Sequence, residues 1–363
     1  MASKITKLFL TMLVISLGFG QLLRFAMSGI PIYLHDLLVA AILLTNVRSL
    51  PAVLKSFKVL KIFILGILVS SLSALYLYPL SSLLVPSLYS LRLLSYLSLF
   101  FLLKNSNSKI SQNFFLAASL ITTVIGLTQY LLLPDMRWAQ YLGWDDHLNR
   151  LTLPHYDPTF TGVMLILTLL TLPFTTHRYR NIRYSIYDIL ILLSILLTYA
   201  RSVWLSILMT ILTMSKSLKY IIIFTIIFVL AIVALPDRFG EGTNLLRTYS
   251  ITSRVGSDLG YVKKYSWSLL TGRGLNTIIL DQKAGILPNH ATGPNNSYLY
   301  LLVTTGIIGL LGWGIFMKSL YKDSVNKPML TFFFIASLFN NVMFYPFALL
   351  WILLAELMVP NEA

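Results

Sequence analysis

"GRGLNTIILDQKAGILPNHATGPNNSYLYLLVTTGIIGLLG", residues 272–312, joins two kinds of chain. Its first half is polar and irregular, with a glycine-flanked arginine, one histidine and a pair of asparagines. From Ser297 onward it is apolar for the length of a long helix. Such a helix belongs in a lipid bilayer, where only segments that satisfy their own backbone hydrogen bonds can cross. The polar half then sits directly on the membrane face.

The rest of the chain agrees. It has 363 residues, 56% hydrophobic and 11% charged, with mean hydropathy +0.77. Soluble domains carry about 25% charged residues, so most of this apolar surface needs lipid as its solvent. The net charge of +15 reads as positive-inside loops plus attraction for an anionic ligand or lipid headgroup, not as nucleic-acid binding. The absence of cysteine excludes disulfides, thiolate metal sites and cysteine nucleophiles. The first apolar run follows Lys4 and Lys7 without a small-residue cleavage site, and reads as a retained helix.

The expected fold is an all-α integral membrane protein, one polytopic domain over 1–363. Spans of about 20 apolar residues are predicted near 5–23, 31–46, 59–79, 84–103, 112–133, 159–175, 184–200, 202–216, 219–235, 297–317, 329–344 and 346–359. The pair 184–200 and 202–216 is one apolar stretch broken at Arg201-Ser202. Lysine in the short loops predicts both termini cytoplasmic, in the cytoplasmic (inner) cell membrane. A first outer loop then covers 134–158, and a long one covers 236–296 with surface-lying helical pieces. The inner side is rich in lysine. Arg24, Arg92, Arg137, Arg150, Arg201, Arg238, Arg247, Arg254 and Arg273 face outward or lie in outer membrane halves. Arginine's rigid charged fork suits phosphate oxygens, so a phosphate-bearing ligand at the outer leaflet is one reading. Pairing with the loop aspartates and glutamate is the other.

Several residues carry candidate chemistry. Arg201 is either an anion ligand at the mouth of the bundle or an interfacial arginine reaching for headgroups. Arg92, at membrane depth, is either functional or bound to a helix-end carbonyl. Asp157 before Pro158 reads as a helix cap rather than a reacting group. Gly272-Arg273-Gly274 lacks the spacing of a nucleotide fingerprint, but its backbone can form a nest for an anion. His290, the histidine of the long loop, has the side chain of a general base. Asn295 and Asn296 stand where they cap a helix or bind a ligand. No His/Asp/Glu spacing indicates a metal, no nucleophile elbow is present, and no cofactor is expected.

These pieces, in this order, resemble the O-antigen polymerase and O-antigen ligase superfamily. The likeness covers most of the chain and is most specific from Arg201 to Gly312. It consists of Ala200-Arg201-Ser202 after a helix, then Arg254, then Gly272-Arg273-Gly274 eighteen residues on. Asn295-Asn296-Ser297-Tyr298-Leu299 follows, running into a helix with Gly306-Ile307-Ile308-Gly309. Where ligases carry histidine before the asparagine, this chain has Asn295, and His290 lies five residues earlier. That departure argues for a polymerase.

The resemblance implies a metal-independent glycosyltransferase of surface polysaccharide. It would transfer a glycan from an undecaprenyl-pyrophosphate-linked oligosaccharide to a sugar hydroxyl at the outer leaflet. Arg201 and Arg254 would hold the pyrophosphate, assisted by Arg92 and Arg273. His290 would be the base, unless a carboxylate such as Asp157 or Asp281 does that work or no strong base is needed, and Asn295, Asn296, Asp157 and Tyr298 would contact substrate. Membrane lipid and a chain-length regulator are the implied partners. Two other readings remain: a ligase of the same superfamily, and a transporter for an anionic lipid or solute. The second is disfavoured because ionisable residues cluster in outer loops and no repeat is visible.

Overall fold

A computed structural model describes residues 4–27, 30–171, 182–214, 242–245, 248–286 and 293–359, with scattered positions between 219 and 233. His290, Arg238, Arg247 and most of the expected span 219–235 lie outside the described residues.

The chain is almost all α. The first helices are α1 (Lys4–Leu17), α2 (Leu34–Thr45), α3 (Leu50–Ser56), α4 (Lys61–Leu77), α5 (Leu84–Asn105) and α6 (Gln112–Leu132). Then come α7 (Pro158–Thr171), α8 (Ile182–Leu197) and α9 (Arg201–Met214). The long loop folds into α10 (Tyr249–Lys264), α11 (Ser268–Thr271) and α12 (Ile278–Lys283). The chain closes with α13 (Ser297–Asp323), α14 (Lys327–Phe339) and α15 (Pro346–Ala355). A hairpin pairs β1 (Arg24–Met27) with β2 (Ile30–Tyr33), and β3 (Ile110–Ser111) runs parallel to β4 (Met358–Val359).

Among the described residues, four helical stretches are long and apolar enough to cross a membrane: Val47–Leu77, Leu80–Asn105, Gln112–Leu132 and Ser297–Asp323. Six further apolar helices are only 10–17 residues long. Twelve spans of membrane-crossing length, as expected from hydropathy, are thus not shown among the described residues, where four helices are long enough and the other apolar helices are short. The sorting of side chains is that of a membrane-embedded bundle. On α4, Leu65, Leu68, Leu72 and Leu75 face outward, as lipid contact requires. α15 is apolar all round and buried from Phe347 to Ala355, the pattern of a central helix.

The opening stretch shows how its two halves are joined. Asn296 caps α13, its side chain accepting from the backbone N–H of Tyr298 and Leu299. Within α13, Gly306 takes φ +68°, a conformation that costs glycine nothing, and the helix kinks there. Into the kink fits Gly272-Arg273-Gly274. Arg273 N donates to the carbonyls of Val303 and Thr304 at 3.1 Å each, and Gly274 N donates to Thr304 at 2.9 Å. Below the kink, α13 packs backbone-close on α4. A β-carbon at Gly66 would strike Gly309, and one at Gly312 would strike Ile62 and Phe63. Small residues allow this approach inside a membrane. Phe63 and Trp313 lock it with ring centroids 4.8 Å apart.

The apolar stretch 182–214 breaks where Arg201-Ser202 predicted. Tyr199 adopts φ +53°, and Arg150 from the loop between α6 and α7 holds the broken end. Its Nε donates to Thr198 O at 3.0 Å and its Nη2 to Tyr199 O at 3.4 Å. These are the carbonyls a helix C-terminus leaves without partners, and a cation suits them.

Candidate functional site

The break between α8 and α9 opens onto a cavity of about 400 Å³. Four segments meet there: the α9 N-terminus with Arg201 and Ser202, the first outer loop with Asp145, His147 and Arg150, the first turn of α7 with Asp157, and α10 with Arg254 and Asp258. Asn295 and the end of α14 close it.

Arg201 and Arg254, far apart in sequence, lie close enough for the charge of one to act on the other. Each is anchored by oxygen atoms of the bundle. Arg201 Nη1 donates to Leu245 O at 3.2 Å. Arg254 Nη1 donates to Phe339 O at 3.1 Å and to Asn340 Oδ1 at 3.0 Å. Asn340 in turn donates to Ser202 Oγ at 3.0 Å, tying α9 to the end of α14. Among the described residues, Arg254 has no carboxylate within ion-pair distance. Two guanidiniums held together against their mutual repulsion favour an anion between them. The N-terminus of α9 adds its positive dipole end.

The acidic groups in the wall are partly spoken for. Asp157 Oδ1 accepts from Thr159 N at 2.6 Å and Phe160 N at 2.9 Å, so it caps α7. Asp258 accepts from Asn295 N at 3.1 Å. Burial raises the Asp258 carboxyl above the usual carboxylate range, opposed by that bond and by Arg254. His147 is held below the ordinary histidine range, chiefly by burial and then by Arg150, against the upward pull of Asp157, Asp145 and Asp146. It is therefore neutral at pH 7, and its buried Nε2 has no partner among the described residues.

The other expected site residues lie elsewhere. Arg92 Nη2 is 2.8 Å from Asp36 Oδ2 and donates to Pro31 O at 2.7 Å, with the rings of Tyr33 and Tyr89 against it. Arg273 Nη2 contacts Asp281 at 3.0 Å and Tyr78 Oη at 2.6 Å, and its guanidinium lies 4.4 Å from the Tyr265 ring centroid. Its own backbone N–H and that of Gly274 are spent on α13, and that of Gly272 on Ser268 O, rather than on a nest. Asn296 is a helix cap. Tyr298 donates to Phe334 O at 3.1 Å and lines a separate apolar groove along α13 and α14. Sequence reasoning missed His147 and Asp258 as cavity residues and counted Arg150 only among the outward arginines. The run Asp145-Asp146-His147 followed by Arg150 was a visible signal in an otherwise apolar chain. Among the described residues no cluster of three metal-ligating side chains occurs.

No protein-family model matches the chain, and no curated protein does.

Proposed function

We propose that this protein is a membrane glycosyltransferase of the O-antigen polymerase type, using a polyprenyl-pyrophosphate-linked oligosaccharide as donor. The observation that carries the reading is the meeting of Arg201 and Arg254 in one cavity, beside a neutral histidine. In this reading the carrier's prenyl tail stays in the bilayer and its pyrophosphate lies between the two arginines. The acceptor hydroxyl oxygen bonds to the anomeric carbon as the bond from that carbon to the phosphate oxygen breaks. The arginines stabilise the charge on the leaving pyrophosphate by preorganised electrostatics, without a metal. The proton of the hydroxyl passes to a base. His147 suits the task among the described residues, since it is neutral and its Nε2 is unspent. Such a base is worth roughly 10²–10⁴-fold.

The same reading puts the short apolar helices across the bundle in protein contact, giving about twelve crossings of the cytoplasmic membrane with both termini inside. A chain-length regulator is the protein partner it calls for. The test is glycan synthesis in a strain lacking the gene. Wild type should restore a ladder of repeats, and Arg201→Ala or Arg254→Ala, present at normal protein level, should not. A ladder that persists in both variants sinks the clamp. Polymer accumulating unattached on its carrier in the gene's absence would favour a ligase, and a defect in neither step would favour a transporter.

A further inference from the structure

A second cavity, of about 260 Å³, stands against the first. The two share three wall segments. Trp144 lines one and Asp145 the other; Phe160 lines one, with Asp157 and Thr159 in the other; Asn341 lines one, with Leu338 and Phe339 in the other. The chemistry changes across that wall. The second cavity is faced by the rings of Tyr33, Tyr89, Trp144, Tyr300, Phe344 and Tyr345. Besides Arg92 and the phenol hydroxyls, its polar groups are the amides of Gln21, Asn276 and Asn341.

Arg92 also reaches this cavity, yet it brings little free charge. Asp36 lies 2.8 Å from its guanidinium, and it is the one charged residue in this wall among the described residues. An anion finds no counter-charge to pair with here. The amides have unmet capacity instead. Gln21 is 5% exposed; its side chain bonds to the phenols of Tyr33 and Tyr345, while its Oε1 has no partner among the described residues. Asn341 Oδ1 is likewise buried and without one. Both oxygens are covered, so a ligand hydroxyl meets them once the amide turns toward the cavity. Tyr345 is fixed from behind, its Oη 2.7 Å from Nδ1 of the buried His155. Aromatic faces set among a few amides, with no net charge, match a ring that is apolar on its C–H face and rich in donors at its edge. The volume falls just under the ~300 Å³ at which drug-sized pockets begin, which suits one or two rings.

We propose that this second cavity binds an uncharged sugar, and that it seats the acceptor end of the glycan beside the arginine cavity. The word acceptor rests on the glycosyl-transfer reading above; the neutral-sugar chemistry does not.

The experiment uses the full chain in lipid nanodiscs. The probes are methyl glycosides of glucose, galactose, mannose, rhamnose and N-acetylglucosamine, followed by saturation-transfer NMR, and inorganic pyrophosphate, followed by calorimetry. At least one glycoside should bind. Asn341→Leu and Gln21→Met should each weaken it about five- to tenfold, the loss expected for a hydrogen bond to a neutral amide. Tyr89→Ala, at the half-buried rim, should weaken it as well and guards against misfolding of the two buried variants. Arg254→Ala and saturating pyrophosphate should leave it unchanged. The proposal is overturned if no glycoside of the panel binds, if binding survives all three cavity substitutions, or if pyrophosphate displaces the sugar. Glycoside binding without any pyrophosphate binding would sink the transfer reading and spare the sugar well. Pyrophosphate binding without glycoside binding would do the reverse.

Discussion

Replacing Gly306 by alanine tests how the long outer loop is fastened to the bundle. At φ +68°, ψ −177° an L-residue is strained by about 1–3 kcal/mol. The new β-carbon would overlap Leu270 O, Thr271 C and Gly272 N. All three are backbone atoms, so no side chain can rotate away. The loop must back off, and the bonds from Arg273 N and Gly274 N into α13 are lost or stretched, at about 0.5–1.5 kcal/mol each. The expected loss of stability is about 3–5 kcal/mol. Gly314→Ala is the control: it lies on the same helix, and its β-carbon would meet nothing within 4 Å. There the better helix propensity of alanine should be neutral or stabilising by up to ~1 kcal/mol. Unfolding of the purified proteins in mixed micelles, read by tryptophan fluorescence, gives the difference. Hydrogen exchange across 270–276 should rise in Gly306→Ala alone. If Gly306→Ala proves as stable as Gly314→Ala, with protection over 270–276 intact, the docking argument is wrong.

Three further outcomes are expected. Arg273→Met strands the buried Asp281 carboxylate, which keeps only the phenols of Tyr78 and Tyr265 as donors; unfolding should show a loss of about 3 kcal/mol, and adding Asp281→Leu should recover part of it. Asp157→Ala should cost about 1 kcal/mol as a lost helix cap, whereas Asp157→Ser should retain stability within about 0.5 kcal/mol; a stable Asp157→Ser protein without glycan synthesis would show that this carboxylate does more than cap. His147 has its pKa lowered in the fold, so it takes up a proton more readily when unfolded. Its neutral form therefore stabilises the protein above the ordinary histidine range near ~6.5, and that contribution is lost as pH falls through this range toward the lowered folded value. Transfer activity should hold at pH 7 and drop only in the acid range, and His147→Gln should remove this limb while slowing transfer by roughly 10²–10⁴-fold; an unchanged acid limb in the variant would exclude His147 as the base.

Much of the architecture was legible in the chain because a bilayer imposes simple rules. Apolar runs at 61–77, 84–105, 112–132 and 297–323 can hardly be anything but helices. The Arg201 break was readable because an ionised side chain inside so long an apolar run has to meet a surface or a cavity. What could not be read is pairing. Gly272-Arg273-Gly274 looks the same whether its N–H groups face an anion or the carbonyls of a kinked helix. Only the positive φ of Gly306, a tertiary fact, decides for the helix. His147 was passed over because a histidine in a polar loop is usually solvated, and the cavity it lines is formed with residues of α7, α9 and α10, which are distant in sequence.

The arginines show where the remaining information lies. All stood on the outer side in the sequence reading, which set Arg201 and Arg254 on the pyrophosphate with Arg92 and Arg273 assisting. The fold divides them by the oxygen each one meets. Arg92, Arg137 and Arg273 meet carboxylates, which cancel their charge at short range. Arg150, Arg201 and Arg254 donate to backbone carbonyls, which fix each guanidinium in place. Those three line one cavity. In a low-dielectric setting an immobilised positive charge acts strongly on whatever enters, and it pays no reorganisation cost when an anion arrives. Among the described arginines it is the carboxylate partner that marks a structural role: Arg92 also donates to a carbonyl, that of Pro31, yet Asp36 offsets its charge. Those carboxylate partners are absent from the local sequence in all but Arg137 and Arg273.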